Sequence, residues 1–294
     1  MKILSFGEII WDVYPDRAVI GGAPMNFAAH CTKCGANGYI LSAVGKDKLG
    51  DDALAELDRL GINTAFVSRN GYPTGRCNVT LDENRIPTYS LVPGVAYDHI
   101  EYSDELANRI RAEGFDALCF GTLSQREPVS AATLRKLLDT CGIEEIFCDI
   151  NLRPNGYSES SVKLCFESAT TLKLSDEEAP LLEAFDFMSG ISFSDARGAI
   201  CEILQRYPNI KRILYTKGSK GSEVHTLDDQ INVAPVKVDA VSSVGAGDSF
   251  GACWLTSMLG GASFGDAARL AAKVSAFVVS RTEAVPEYSI ENLK

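Results

Sequence analysis

A chain of 294 residues, 46% hydrophobic and 23% charged, has the composition of a soluble globular protein and enough apolar material for one large domain or two ordinary ones. Its 28 Lys and Arg against 39 Asp and Glu give a net charge of −11, the wrong sign for a surface that grips nucleic acid by counterion release, although a few donors suffice for a local anion pocket. Nine cysteines, an odd number, point to reduced thiols, and the sequence shows neither a basic, apolar leader nor an apolar run of ~18 residues, so a cytoplasmic protein without a membrane partner is expected.

From the N-terminus, β-rich runs at 2–8, 39–44, 117–122, 145–150, 171–174 and 212–216 alternate with amphipathic helical stretches. That is the pattern of a parallel sheet with helices on both faces. The clearest helix is DKLGDDALAELDRLG at 47–61, where Leu49, Leu54, Leu57 and Leu60 recur at helical spacing. Cys31 and Cys34 form a CxxC in an alanine-rich helical stretch, but no second CxxC or His pair completes a zinc site, so they read as inert thiols. His30, His99 and His225 are scattered and give no support to a hydrolase triad.

Two segments break the alternation. GRCNVTLDENRIPTYSLV at 75–92 predicts two strands around a polar turn at 82–84 with no helix between them. Together with the stretch from WDVYP to Ile20, it predicts a small extra sheet, about 12–20 and 72–98, inserted in a single domain spanning 1–294. Such a sheet is either an ordinary peripheral hairpin or a lid over a ligand at the C-terminal edge of the main sheet.

Towards the C-terminus, SSVGAGDSFG occupies 242–251, between a predicted strand INVAPVKVDAV (231–241) and a predicted helix SFGACWLTSML (249–259). Gly245, Ala246 and Gly247 then form a strand-to-helix turn whose unpaired N–H groups and helix dipole attract an anion. A lone acid in the first helical turn, as Asp248 is, stabilises the dipole by ~0.3–1 kcal/mol, and that could be its whole role. A preceding anion turn gives it another, as a base beside a transferred phosphoryl group. There is no GxxxxGK[ST], and Phe250 breaks a GxGxxG.

Seven motifs in order, GEIIWDVYP from residue 7, GGAPMNFAAHCTKCGA from 21, AVGKDKLGDDALAEL from 43, DINLRP from 149, LKLSDEEA from 172, TKGSKG from 216 and GAGDSF from 245, resemble the ribokinase-like sugar kinases of the phosphofructokinase-B type, bacterial fructokinases above all. The resemblance implies a three-layer α/β sandwich with a mostly parallel central sheet and a small β-sheet lid. It also implies transfer of the terminal phosphoryl group of ATP, with Mg2+, to a sugar hydroxymethyl oxygen. By the same resemblance Asp248 is the base, the Gly245, Ala246 and Gly247 amides are the anion hole, and Arg153 reaches the sugar or the transferring phosphate. Asp12, Gly22 and Asn26 hold sugar hydroxyls, while Ser175, Thr216, Gly218 and Gly221, with Gly245 and Gly247, hold the nucleotide. Glu178 holds magnesium through water, in keeping with that ion's tight hydration.

Departures from the family pattern bear on this. Ser242 and Ser243 stand where Asp-Thr is usual, which removes a carboxylate associated with an activating monovalent cation, so the resemblance does not carry potassium activation over. Ser175 replaces an Asn, and Glu283 stands where Gly is common. Fructokinase is the first reading, 2-keto-3-deoxygluconate kinase the second, because DINLRP suits both, and ribokinase or nucleoside kinase the third. A non-catalytic sugar or nucleotide sensor is the reading from another class, and the retained Asp248, Arg153 and Glu178 argue against it. A homodimer through the lid is expected, because sheet edges need cover.

Overall fold

The computed structural model describes residues 1–81 and 87–293. Among these, one sheet has the strand order β13 (Gln230–Val233), β12 (Ser222–His225), β11 (Arg212–Thr216), β10 (Thr171–Ser175), β9 (Glu145–Asp149), β8 (Ala117–Gly121), β1 (Lys2–Phe6), β4 (Asn37–Gly45) and β5 (Asn63–Asn70). The strands from β11 to β5 pair parallel, and β12 and β13 turn antiparallel at the far edge.

Parallel strands buried on both faces need apolar side chains on both, which is why KILSF and ALCFG read as near-continuous runs. Leu4 and Phe6 go to one face, which is covered by α3 (Asp104–Glu113), α4 (Pro128–Thr140), α5 (Glu159–Ser168), α6 (Ala179–Leu182) and α7 (Ala196–Arg206). Ile3 and Cys119 go to the other, under α1 (Ala23–Lys33), α2 (Lys48–Arg59), α8 (Ala246–Leu259) and α9 (Phe264–Val279). The result is the three-layer α/β sandwich that the sequence implied. Side chains as large as the fully buried Trp254 of α8 stabilise such a face by about 1.5–3 kcal/mol each.

A second sheet stands apart, in the order β3 (Ala18–Gly21), β2 (Ile10–Val13), β6 (Gly75–Leu81) and β7 (Pro87–Leu91), with β2 and β6 parallel and the outer pairs antiparallel. This is the expected extra sheet; the expected turn at 82–84 lies outside the described residues. Its core is thin, built on Ile10, Cys77, Val95, Tyr97 and Leu123, and Trp11 ties it to the body by donating Nε1–H to the Leu49 carbonyl at 3.0 Å.

One expectation is corrected. Residues 231–241 do not form a strand running into the glycine turn: β13 ends at Val233, and 234–241 is irregular and largely exposed. Pro235 has no N–H to give a ladder, and β13 is the outer strand of the sheet, so Val236 and Val238 meet no further strand among the described residues, and Val241 turns its N–H to the Val279 carbonyl at the end of α9 instead, at 2.8 Å.

Candidate active site

Parallel strands deliver their C-terminal ends to one edge, and here that edge receives Glu8 after β1, Gly121 of β8, Asp149 of β9, Ser175 of β10 and Thr216 of β11. The N-termini of α1 and α8 meet over it. Gly22, at φ 112, is the N-cap of α1 and Gly245, at φ 80, that of α8. Neither residue has a side chain to cap its helix. At α1 the Ala23 backbone N–H favours the charged form of the neighbouring Glu8 carboxyl.

Asp248 lies in the first turn of α8, and its Oδ2 accepts a hydrogen bond from Asn26 Nδ2 at 2.8 Å, across 222 residues of sequence. Asn26 is 4% exposed and its Oδ1, equally buried, has no partner in the protein. Burial pushes the Asp248 carboxyl up to about 6, against the Asn26 hydrogen bond that favours its charge. Glu8 is pushed up to about 7, by burial first and by the Asp248 charge as well. Glu8, Asp149, Asn151 and Asp248 line one small cavity of about 20 Å3 together with Pro24, Phe27 and Gly121, room for a single water. Asn151 sits at φ 43, a left-handed conformation of the kind found where a fixed backbone serves a site.

The glycine turn is held from several sides. A Cβ on Gly245 would overlap the Ala284 carbonyl oxygen and lie 2.9 Å from the Ala284 Cα. Ser275 of α9 donates to the Ala246 carbonyl at 2.9 Å. A Cβ on Gly247 would lie 3.1 Å from Lys173 Nζ, so the start of α8 passes directly beside an ammonium group. Lys173 sits opposite Asp149 in the β9–β10 register and donates to both its carboxylate oxygens at 2.9 Å. Burial works against the Lys173 charge, but the Asp149 and Glu178 carboxylates outweigh it and hold its pKa above the usual lysine value.

The other expected residues divide into two groups. Asp12, on β2, is half-buried, and burial raises its carboxyl against the pull of Arg153. Arg153 is exposed, and its charge favours the ionised forms of Glu8, Asp12, Asp149 and Asp248 alike. These join the Asn26–Asp248 pair. Ser175, Glu178, Thr216, Gly218 and Gly221 lie further along the sheet edge, at the ends of β10 and β11 and in the turn to β12. Glu178 Oε2 accepts from the Ser175 N–H at 2.9 Å and from its hydroxyl at 2.6 Å, and Oε1 accepts from the Leu152 N–H at 2.8 Å. Ser242 lies outside the cluster, with its Oγ accepting from the Val244 N–H at 3.2 Å.

Lys173, Asp149 and Glu8 escaped the sequence reading as site residues. The signal for Lys173 is a lone charge inside the apolar run TLKLS, which a buried parallel strand carries only when a partner faces it. Asp149 and Glu8 stood inside quoted motifs without a role of their own.

The family profile for pfkB family carbohydrate kinases matches residues 7–290. Among curated relatives, the ATP-dependent 6-phosphofructokinase of Thermoanaerobacterium thermosaccharolyticum is 25% identical over 297 aligned positions, covering 94% of this chain and 87% of that protein. The probable fructokinase-4 of Arabidopsis thaliana is 26% identical over 268, covering 84% and 79%. Among solved structures, a fructokinase from Xylella fastidiosa with bound ATP superposes with a TM-score of 0.85 at 20% identity, over 99% of this chain and 97% of that one, which bears on fold alone.

Proposed function

The chain belongs to the pfkB family of carbohydrate kinases, a family of sugar phosphotransferases, and on that premise we propose that it moves the terminal phosphoryl group of ATP to a hydroxymethyl oxygen of an uncharged sugar, D-fructose before any other. The observation that carries this reading is the Asn26–Asp248 pair. One carboxylate oxygen of Asp248 is occupied by Asn26, which leaves Oδ1 to accept a hydroxyl proton. The orphaned Asn26 Oδ1 beside it needs a donor, which a neighbouring sugar hydroxyl supplies.

In this reading the attacking oxygen loses its proton to Asp248 as it meets the phosphorus in line, and the Gly245 and Gly247 amides, aided by the α8 dipole and the Lys173 ammonium nearby, take up charge on the transferring group; the expected third donor, the Ala246 N–H, is instead turned to the Ser243 carbonyl at 3.3 Å. General-base help is worth about 10²–10⁴ in rate and positioning about 7–11 kcal/mol, so the fixed turn does most of the work. Thr216, Gly218 and Gly221 carry the nucleotide. Among the described residues no three His, Cys, Asp or Glu gather into a cation cage, and the Glu178 oxygens already accept three hydrogen bonds. A magnesium ion brought with the triphosphate and keeping its waters would suit that donor set: Glu178 would hold it through a water, and the ion would offset charge on the phosphates. No carboxylate stands at Ser242 and Ser243, so potassium activation forms no part of the reading.

Charge argues for a neutral acceptor. Glu8, Asp149 and Asp248 line the pocket and Asp12 adds a carboxylate within the field of Arg153, while Lys173 is paired with Asp149, which leaves Arg153 as the exposed cation of this set. A keto acid or a sugar phosphate would bring a further negative charge into that field. Purified protein given ATP, magnesium and in turn fructose, ribose, 2-keto-3-deoxygluconate and fructose 6-phosphate tests this: ADP release should be fastest with fructose. Faster release with an anionic acceptor reverses the assignment, and none with any acceptor favours the sensor reading. The small sheet would act as a lid, and its outer strands β3 and β7, each paired on one side, would meet those of a second copy, so light scattering should give a dimer mass.

A further inference from the structure

Helix α1 presents two buried polar side chains one turn apart, Asn26 and His30, and they hold two different parts of the site. Asn26 holds the carboxylate of Asp248. His30, with no exposed surface, reaches instead to the chain that follows α9: its Nε2 lies 2.9 Å from the Ala284 carbonyl oxygen and its Nδ1 2.8 Å from the Tyr288 hydroxyl, with the two rings stacked at 5.8 Å. A carbonyl can only accept, so Nε2 carries the hydrogen and Nδ1 accepts from Tyr288. Burial holds the His30 pKa down to about 4, which keeps the ring neutral and this pattern fixed at neutral pH.

The Ala284 peptide that His30 grips is the same one that Gly245 is pressed against. We propose that His30 is a positioning residue for phosphoryl transfer: by fixing the Ala284 carbonyl it sets the wall that shapes the Gly245–Gly247 turn, while Asn26, a turn earlier on the same rigid helix, sets the base. One helix thereby keeps the base and the anion donors in register, at a separation of about 6 Å along its axis between the two anchor points. A histidine that only fills and satisfies the core would stabilise the fold without touching catalysis, and the two roles predict different kinetics. The kinetic half rests on the proposed kinase activity; the structural half does not.

Two amides divide the ring's contacts. His30→Gln places its N–H group where Nε2 was and keeps the bond to Ala284. His30→Asn reaches only as far as Nδ1 and keeps the Tyr288 partner alone. The measurements are kcat, the KM for sugar, and amide hydrogen exchange of residues 245–248 in each variant. Expected for His30→Asn is a kcat lower by about 10–100-fold, a sugar KM within about threefold of wild type, and exchange at the turn at least about tenfold faster. His30→Gln should stay within about threefold of wild type on all three. Equal behaviour of the two variants, or a His30→Asn loss confined to sugar KM or melting temperature, overturns the proposal. If His30→Asn does not fold, His30→Met, of similar bulk and without a donor, takes its place with the same expected losses. If the wild-type protein transfers no phosphoryl group, the kinase reading fails, and turn exchange alone still decides whether His30 shapes the turn.

Discussion

The two sheets meet at the site and are built differently. The glycine turn of α8 is pinned by a backbone wall at Ala284, a half-buried hydroxyl from Ser275, the buried Lys173–Asp149 ion pair and the buried Asn26 amide. The small sheet has a core of a few side chains, an exposed β3, and an Asp12 that keeps one side towards solvent. Transferring a phosphoryl group needs fixed dipoles where charge develops, and these cost no reorganisation only if packing over-determines them. Choosing and enclosing a sugar needs a surface that can open, and open surfaces are built from few contacts. On the proposed reading, rigidity and access are assigned to separate sheets.

Substitutions should respect that division. The largest effect is expected inside the pinned region: Lys173→Met leaves Asp149 buried without its partner and should lower unfolding free energy by about 3–5 kcal/mol, read by urea denaturation. A loss under about 1 kcal/mol would mean the pair is not the anchor described here. Next comes Gly245→Ala, which sets a Cβ into Ala284 and demands a left-handed alanine; kcat should fall about 10²–10³-fold with sugar KM little changed. On the small sheet, Asp12→Asn should do the reverse, raising sugar KM about tenfold with kcat within about threefold. A kcat loss as large as that of Gly245→Ala would erase the distinction between the sheets. The effect of acid is absent at neutral pH and grows only below the Asp248 pKa. Asp248 must be ionised to accept a proton and burial raises it to about 6, so kcat/KM should hold at neutral pH and fall about tenfold per unit as pH drops below about 6. A profile that stays flat down to pH 4.5 would contradict the buried environment assigned to this carboxylate.

The architecture was legible because buried parallel strands announce themselves as apolar runs, and the small sheet because 75–92 alternates without a helix. The misread stretch at 231–241 alternates just as well, but beyond Pro235 it runs past the sheet edge, where a pattern of period two has no neighbouring strand and Val241 pairs with the end of α9 instead. Asn26 and Asp248 were each legible as candidate site residues, since each stands in its own motif, but the contact between them was not. That contact and those of Lys173 with Asp149 and His30 with Ala284 are relations between elements, fixed by register and helix packing, and no single stretch of sequence contains both partners.

The most direct test of the central claim is Asp248→Asn, with sugar and ATP affinities measured by calorimetry beside single-turnover phosphoryl transfer. Near-normal affinities with transfer slowed by about 10²–10⁴-fold are predicted. Transfer at the wild-type rate, or loss of both affinities along with it, would contradict the role given to this carboxylate.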